Sequence, residues 1–214
     1  MNRPKRVFTR GELAVLVFTL TYTAGFSAWF LSIRNYEFIW YILTMAALIL
    51  LIGWTREAAR FPVPLLWALS LWGLAHTAGG GVPVGDGVLY GLVLVPLAGS
   101  GELVLLKYDQ VIHAYGFGVT AWLLWHLLTV HFPQMRGTRS VYFYPALGAM
   151  GLGSVNEMIE FTAVLAFAET GVGGYYNTAL DLVFNALGAV LAMLVTAAIE
   201  RRRGERGTGR RVHE

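Results

Sequence analysis

Six stretches of the chain are apolar almost without interruption, at about residues 12–33, 38–54, 63–78, 110–132, 141–168 and 177–198. Each is set off from the next by a segment carrying charge, Gly or Pro. A hydrocarbon layer of ~30 Å takes about 20 helical residues to cross, so the pattern predicts six transmembrane helices, with the second and third near the short limit. The expected fold is all-α, a polytopic membrane helix bundle. Residues 1–200 make a single transmembrane helical domain, and residues 201–214 a basic tail that ends disordered. Trp40, Trp54, Trp67 and Trp72 flank the second and third runs, where they suit either an interfacial belt or a helix interior. The first run follows a basic N-terminus but has no small-residue cleavage site and is long enough to span, so the chain is expected to stay intact.

One connection is long. Residues 79–109 open in "AGGGVPVGDG", a turn-rich sequence that is not expected to continue a helix, and go on to "VLYGLVLVPLAG". That second piece is apolar but too short to span, as in a re-entrant or interfacial segment.

Composition agrees with the pattern: 56% of residues are hydrophobic and 14% charged, and the mean hydropathy is +0.57. Charge then orients the helices. With six spans, the N-terminus (Arg3, Lys5, Arg6, Arg10), the second connection (Arg56, Arg60), the fourth (Arg136, Arg139) and the tail (Arg201, Arg202, Arg203, Arg206, Arg210, Arg211) share one side. Only Arg34 and Lys107 of the 16 basic residues fall on the other. The positive-inside rule makes both termini cytoplasmic. Turning residues 88–99 into a seventh span would invert the later loops and place eight arginines outside. The net charge of +3 thus describes topology and attraction to anionic lipid head groups. Membrane lipids are the expected partners, nucleic acid is not, and no motif names a protein partner. With no cysteine, disulfides, thiolate chemistry and Cys-ligated metal centres are excluded.

Against this apolar background the ionisable residues inside the runs stand out, since each costs about 2.5–3.5 kcal/mol on insertion scales. In "YDQVIHAYGFGVT" Asp109 and His113 lie one turn apart on one face, continued by Gly116 and Thr120. In "SVNEMIEF" Asn156 and Glu160 lie one turn apart with Glu157 beside them, and Gly153 and Ala149 extend that side. "NTALDLVFNALGAV" aligns Asp181, Asn185 and Gly188. Small residues on these stripes let helices approach closely. At 1.5 Å per residue, Asp109 and His76 come near the outer surface, His113 and Asp181 about 6 Å below it, Glu160 and Asn185 about 12 Å, and Glu157 about 16 Å. Three helices of alternating direction therefore put their polar residues in the same half of the bilayer. Hydrogen bonds that fasten helices together account for any single member. Four carboxylates and two His with no Lys or Arg among them call for a cation or protons.

The blocks "YDQVIHAYGFG", "GSVNEMIEF" and "DLVFNALGAV" resemble the motifs of the YjdF-like family of uncharacterised bacterial inner-membrane proteins, and more distantly VanZ-like proteins, over residues 105–195. The resemblance implies a multi-pass protein of the bacterial inner (cytoplasmic) membrane and singles out Asp109, His113, Glu157, Glu160 and Asp181. The chain departs from the pattern at Phe161, where those proteins carry Trp, and in "GGYYNTAL", where they carry further Asp and Gln.

Three functional classes follow. The first is a metal-dependent enzyme acting on a lipid or lipid-linked head group at the outer leaflet. There His113, Glu157, Glu160 and Asp181 bind one divalent ion (zinc, manganese or magnesium), His76 is a further candidate ligand, and Asp109 or His76 transfers protons. The second is a proton- or cation-coupled transporter, for which six spans without a repeat make a thin carrier. The third, a haem protein using His113 and His126, needs a second axial ligand for each haem. His76 is the one outer candidate, and His126 has only His131 nearby. His126 and His131 read better as interfacial residues. A non-enzymatic scaffold with polar helix contacts stands beside all three.

Overall fold

The computed structural model of the chain describes residues 8–33, 39–95, 106–166 and 174–211. It holds six helices where the hydrophobic pattern places them: α1 Arg10–Ser32, α2 Ile39–Ala59, α3 Val63–Gly81, α4 Tyr108–His131, α5 Ser140–Ala166 and α6 Tyr175–Arg211. Four of them, α1, α2, α4 and α6, are long and apolar enough to cross a membrane. The architecture is an all-α membrane bundle.

Local sequence sets the helix starts. α1 begins in a capping box, where Glu12 N donates to Thr9 Oγ1 at 3.2 Å and Thr9 N donates to Glu12 Oε2 at 2.7 Å. α3 begins behind Pro62, with Pro64 in its first turn, where a missing N–H costs nothing.

Two ends differ from the expectation. α3 continues through Gly79, Gly80 and Gly81, all buried, although the glycine run reads as a helix breaker. Close approach is the reason. A Cβ on Gly79 would overlap the Tyr90 ring, and one on Gly81 would lie 2.8 Å from Phe30 and 2.9 Å from Phe26. Trp29 Nε1 also donates to Gly81 O at 3.1 Å. At the other end, α6 stays helical to Arg211, where a disordered tail is expected. Its Arg and Glu are good helix formers, and Arg203–Glu200 at 3.0 Å and Arg201–Glu205 at 4.0 Å are turn-spaced pairs. At 37 residues the helix is about 55 Å long, well beyond a hydrocarbon layer.

α4 is the centre of the packing. It touches α3, α5 and α6, which leaves α1 on α3 and α2 against α1. Ala121, Ala146, Ala149, Ala189 and Met193 join α4, α5 and α6, and Val15, Leu65, Leu66 and Val119 join α1, α3 and α4, with Phe61 of the α2–α3 link packed among them. α4 and α6 meet backbone to backbone. A Cβ on Gly188 would overlap the Ala114 carbonyl, and one on Gly118 would lie 3.1 Å from Gly188 O. Leu50, Trp54, Met158, Ile159 and Leu165 face outward, as lipid-facing residues do.

After α3 the chain makes a two-residue hairpin, β1 Pro83–Val84 with β2 Gly87–Val88, turning through Gly85 at φ 57°. A 3-10 turn at Leu89–Gly91 follows. The segment then returns to the start of α4: Tyr108 N donates to Leu92 O at 2.8 Å, and Val93 pairs with Lys107. Residues 96–105 of this connection lie outside the described residues.

Candidate functional site

The polar stripes of α4, α5 and α6 converge. Because Gly188 brings α6 onto the backbone of α4, and Gly153 of α5 leaves room for Asn185, whose Nδ2 would be 2.7 Å from a Cβ there, side chains far apart in sequence come within bonding distance. His113 lies at the middle and is buried. Its Nε2 is 3.5 Å from Asp109 Oδ1. Its Nδ1 is 3.0 Å from Asn185 Oδ1 and 3.6 Å from Glu157 Oε1.

Two groups of potential ligands share that histidine, Asp109–His113–Asp181 and His113–Glu157–Glu160, with one ligand atom from each residue lying within 4.8 Å of the others. Asn185 distinguishes them. An amide oxygen only accepts, so Nδ1 carries a proton toward Asn185, which leaves Nε2 as the nitrogen facing Asp109. A second polar group fixing the far nitrogen is the usual arrangement behind a metal-binding histidine. The Glu157–Glu160 group would have to compete with Asn185 for Nδ1.

Asn177, in the first turn of α6, shapes the Asp109–Asp181 side. Its Nδ2 donates to Asp109 Oδ2 at 3.1 Å and to Asp181 Oδ2 at 2.6 Å. Each carboxylate is left with Oδ1. That of Asp109 faces His113 Nε2, while that of Asp181, a fully buried residue, has no hydrogen-bond partner. Both oxygens of buried Glu157 likewise lack one. Glu160, half-buried, accepts from Asn156 Nδ2 at 2.8 Å. Burying bare carboxylate oxygens costs several kcal/mol each unless a proton or cation compensates.

Asp109, His113, Glu157, Glu160 and Asp181 thus come together, as their helical spacing suggested. His76 does not join either group. Its Nδ1 is 2.6 Å from the Tyr90 hydroxyl, which also lies 2.8 Å from His76 O. With its single proton given to that carbonyl, the hydroxyl accepts from Nδ1–H. Tyr108, the first residue of α4, donates to Ala75 O at 3.0 Å, so Tyr90 ties the connection to α3 and Tyr108 ties the start of α4 to it. On the opposite side of the bundle His126 Nε2 donates to Ala59 O at 2.8 Å and packs on Phe61, while His131 closes α4.

Asn177 and Tyr90 carry no sequence signal as site residues. Asn177 is neutral, and Tyr90 lies in the connection. Asn177 is legible only as the residue one turn before Asp181.

No curated protein and no solved structure matches the chain. A family model does, over residues 13–202, and its description is predicted membrane protein (DUF2238). That span takes in α2 to α5 whole, most of α1 and α6, and every residue of the two ligand groups, and the chain belongs to this family of predicted membrane proteins.

Proposed function

We propose that the chain is a six-span protein of the bacterial inner membrane with both termini cytoplasmic, and that its His/carboxylate group binds one divalent metal ion for a reaction on a lipid or lipid-linked head group. The distribution of basic residues supports the topology. It puts the first turns of α4 and α6, with Asp109, Asn177 and Asp181, in the outer half of the bilayer. In this reading Asp109, His113 and Asp181 hold the ion. Glu157 and Glu160 add negative charge on the other side of the imidazole, and the connection around Tyr90 is an interfacial flap over the site. Bound there, a divalent ion supplies Lewis-acid polarisation of a phosphoryl or carbonyl oxygen. The family shown is one of predicted membrane proteins without the YjdF-like or VanZ-like name. The likeness to those proteins rests on the three blocks themselves, "YDQVIHAYGFG", "GSVNEMIEF" and "DLVFNALGAV".

The observation that carries the metal is that Asp109, His113 and Asp181 bring one ligand atom each within 4.8 Å of the others, where Asp181 also keeps a buried Oδ1 without a hydrogen-bond partner. A cation- or proton-coupled carrier is the second reading, favoured by the two adjoining ligand groups on one histidine. Elemental analysis of purified protein, with head-group release from phospholipid vesicles measured before and after chelation, separates them. About one divalent ion per chain and chelator-sensitive release are expected. Ion without release favours the carrier, and neither ion nor release leaves a scaffold held by polar helix contacts.

A further inference from the structure

Resting on the reading of Asp109, His113 and Asp181 as metal ligands, we infer that Asn177 is a positioning residue that makes the site four-coordinate and selective for a zinc-class ion over magnesium and calcium. Its amide donates to Oδ2 of both aspartates, so each offers a single oxygen. The protein donor set is then one imidazole nitrogen and two monodentate carboxylate oxygens. Three protein ligands with a fourth position open is how zinc is held where substrate must reach it. Calcium takes six to eight oxygens, often with a bidentate carboxylate, and magnesium six oxygens in a near-ideal octahedron. The bridge by Asn177 withholds the oxygens that either would use, and an imidazole ligand suits neither.

His113 Nε2 and Asp109 Oδ1 are 3.5 Å apart, and Asp181 adds a third ligand atom within 4.8 Å of the others. Asn185 on Nδ1 fixes the ring with Nε2 toward Asp109, and Asp181 keeps one buried oxygen, Oδ1, without a hydrogen-bond partner.

The test uses the full chain in detergent, stripped of metal and titrated with zinc, cobalt(II), magnesium and calcium. Wild-type protein is expected to bind zinc at least tenfold more tightly than magnesium or calcium, and to give cobalt(II) the intense visible absorption of a four-coordinate ion. Asn177→Ala should bind zinc 10- to 100-fold more weakly, narrow its preference over calcium at least tenfold and lose the intense cobalt bands. Asn177→Asp should narrow the same ratio by gaining calcium or magnesium affinity. A purely structural Asn177 would lower unfolding temperature in both variants and leave the ion ratio unmoved, which overturns the inference alone. Weak, six-coordinate cobalt bands in the wild type also overturn it, even if neither variant folds. A wild-type chain that binds none of the four ions overturns the metal reading itself.

Discussion

His113 is the residue on which the site turns, because its two nitrogens face different partners. If Asp109, His113 and Asp181 hold the ion, Asp181→Asn removes the charge of a buried, unpartnered oxygen while keeping an amide for Asn177 to meet. Metal content should fall from about one to near zero per chain, and the metal-free protein should be as stable as wild type or more so through relief of carboxylate repulsion. Glu160→Gln keeps its contact with Asn156 and should retain most of the metal. Elemental analysis of both variants decides, and the opposite pattern moves the ion to the Glu157–Glu160 group. Asn185→Ala removes the bond to Nδ1 at 3.0 Å. Interhelical hydrogen bonds in membranes average only about 0.6 kcal/mol, so unfolding should change little, whereas losing the partner of a ligating histidine should weaken metal binding about 10- to 100-fold. Calorimetric titration beside thermal unfolding reads both quantities.

At the scale of elements, the α4–α6 contact decides whether the stripes meet. Gly188→Ala would drive a methyl group into the Ala114 carbonyl. Overpacking of this kind costs about 1–3 kcal/mol, and parting the helices should weaken metal binding as well. Gly25→Ala, with nothing within 4 Å of the new methyl group, is the matched control and should be neutral or slightly stabilising. Comparing denaturant midpoints of the two in one detergent tests this, and equal effects would mean that the helices separate at little cost. The connection after α3 makes its own prediction. Since Leu92 O accepts from Tyr108 N beside Asp109, cysteines introduced near Leu92 and near Asp181 should cross-link readily in a chain that has none of its own. Consistent failure would leave the segment a surface structure away from the site.

For the molecule as a whole, the arrangement of charge makes a prediction independent of any metal. Reporter fusions after residues 58, 137 and 205 should read cytoplasmic, and fusions after 36, 85 and 172 should read outside. A cytoplasmic reading at 85 would invert α4 and everything after it, and would remove the shared depth of Asp109, Asp181 and Glu160. The long α6 bears on the same point. Its apolar part passes into Arg201, Arg202 and Arg203, which are exposed, so the helix projects its basic end beyond the layer that its apolar turns fill.

What could be read from the chain alone was whatever depends on neighbours in sequence. Runs of about 20 apolar residues give six helices, because an unpaired backbone cannot be left in hydrocarbon. A 3.6-residue period puts Asp109 with His113, Asn156 with Glu160, and Asp181 with Asn185. Which stripe faces which, and at what height, depends on contacts between helices, and these rest on small residues whose partners no local pattern names. Gly188 seats α6 on Ala114, Gly153 makes room for Asn185, and Gly79 receives Tyr90. For that reason the pairing of His113 with Asn185, 72 residues away, and the bridge from Asn177 to Asp109, 68 residues away, exist only in the tertiary structure. The same holds for α3: a glycine run read locally breaks a helix, but here the absent side chains are what let Phe26, Phe30 and Tyr90 pack against it.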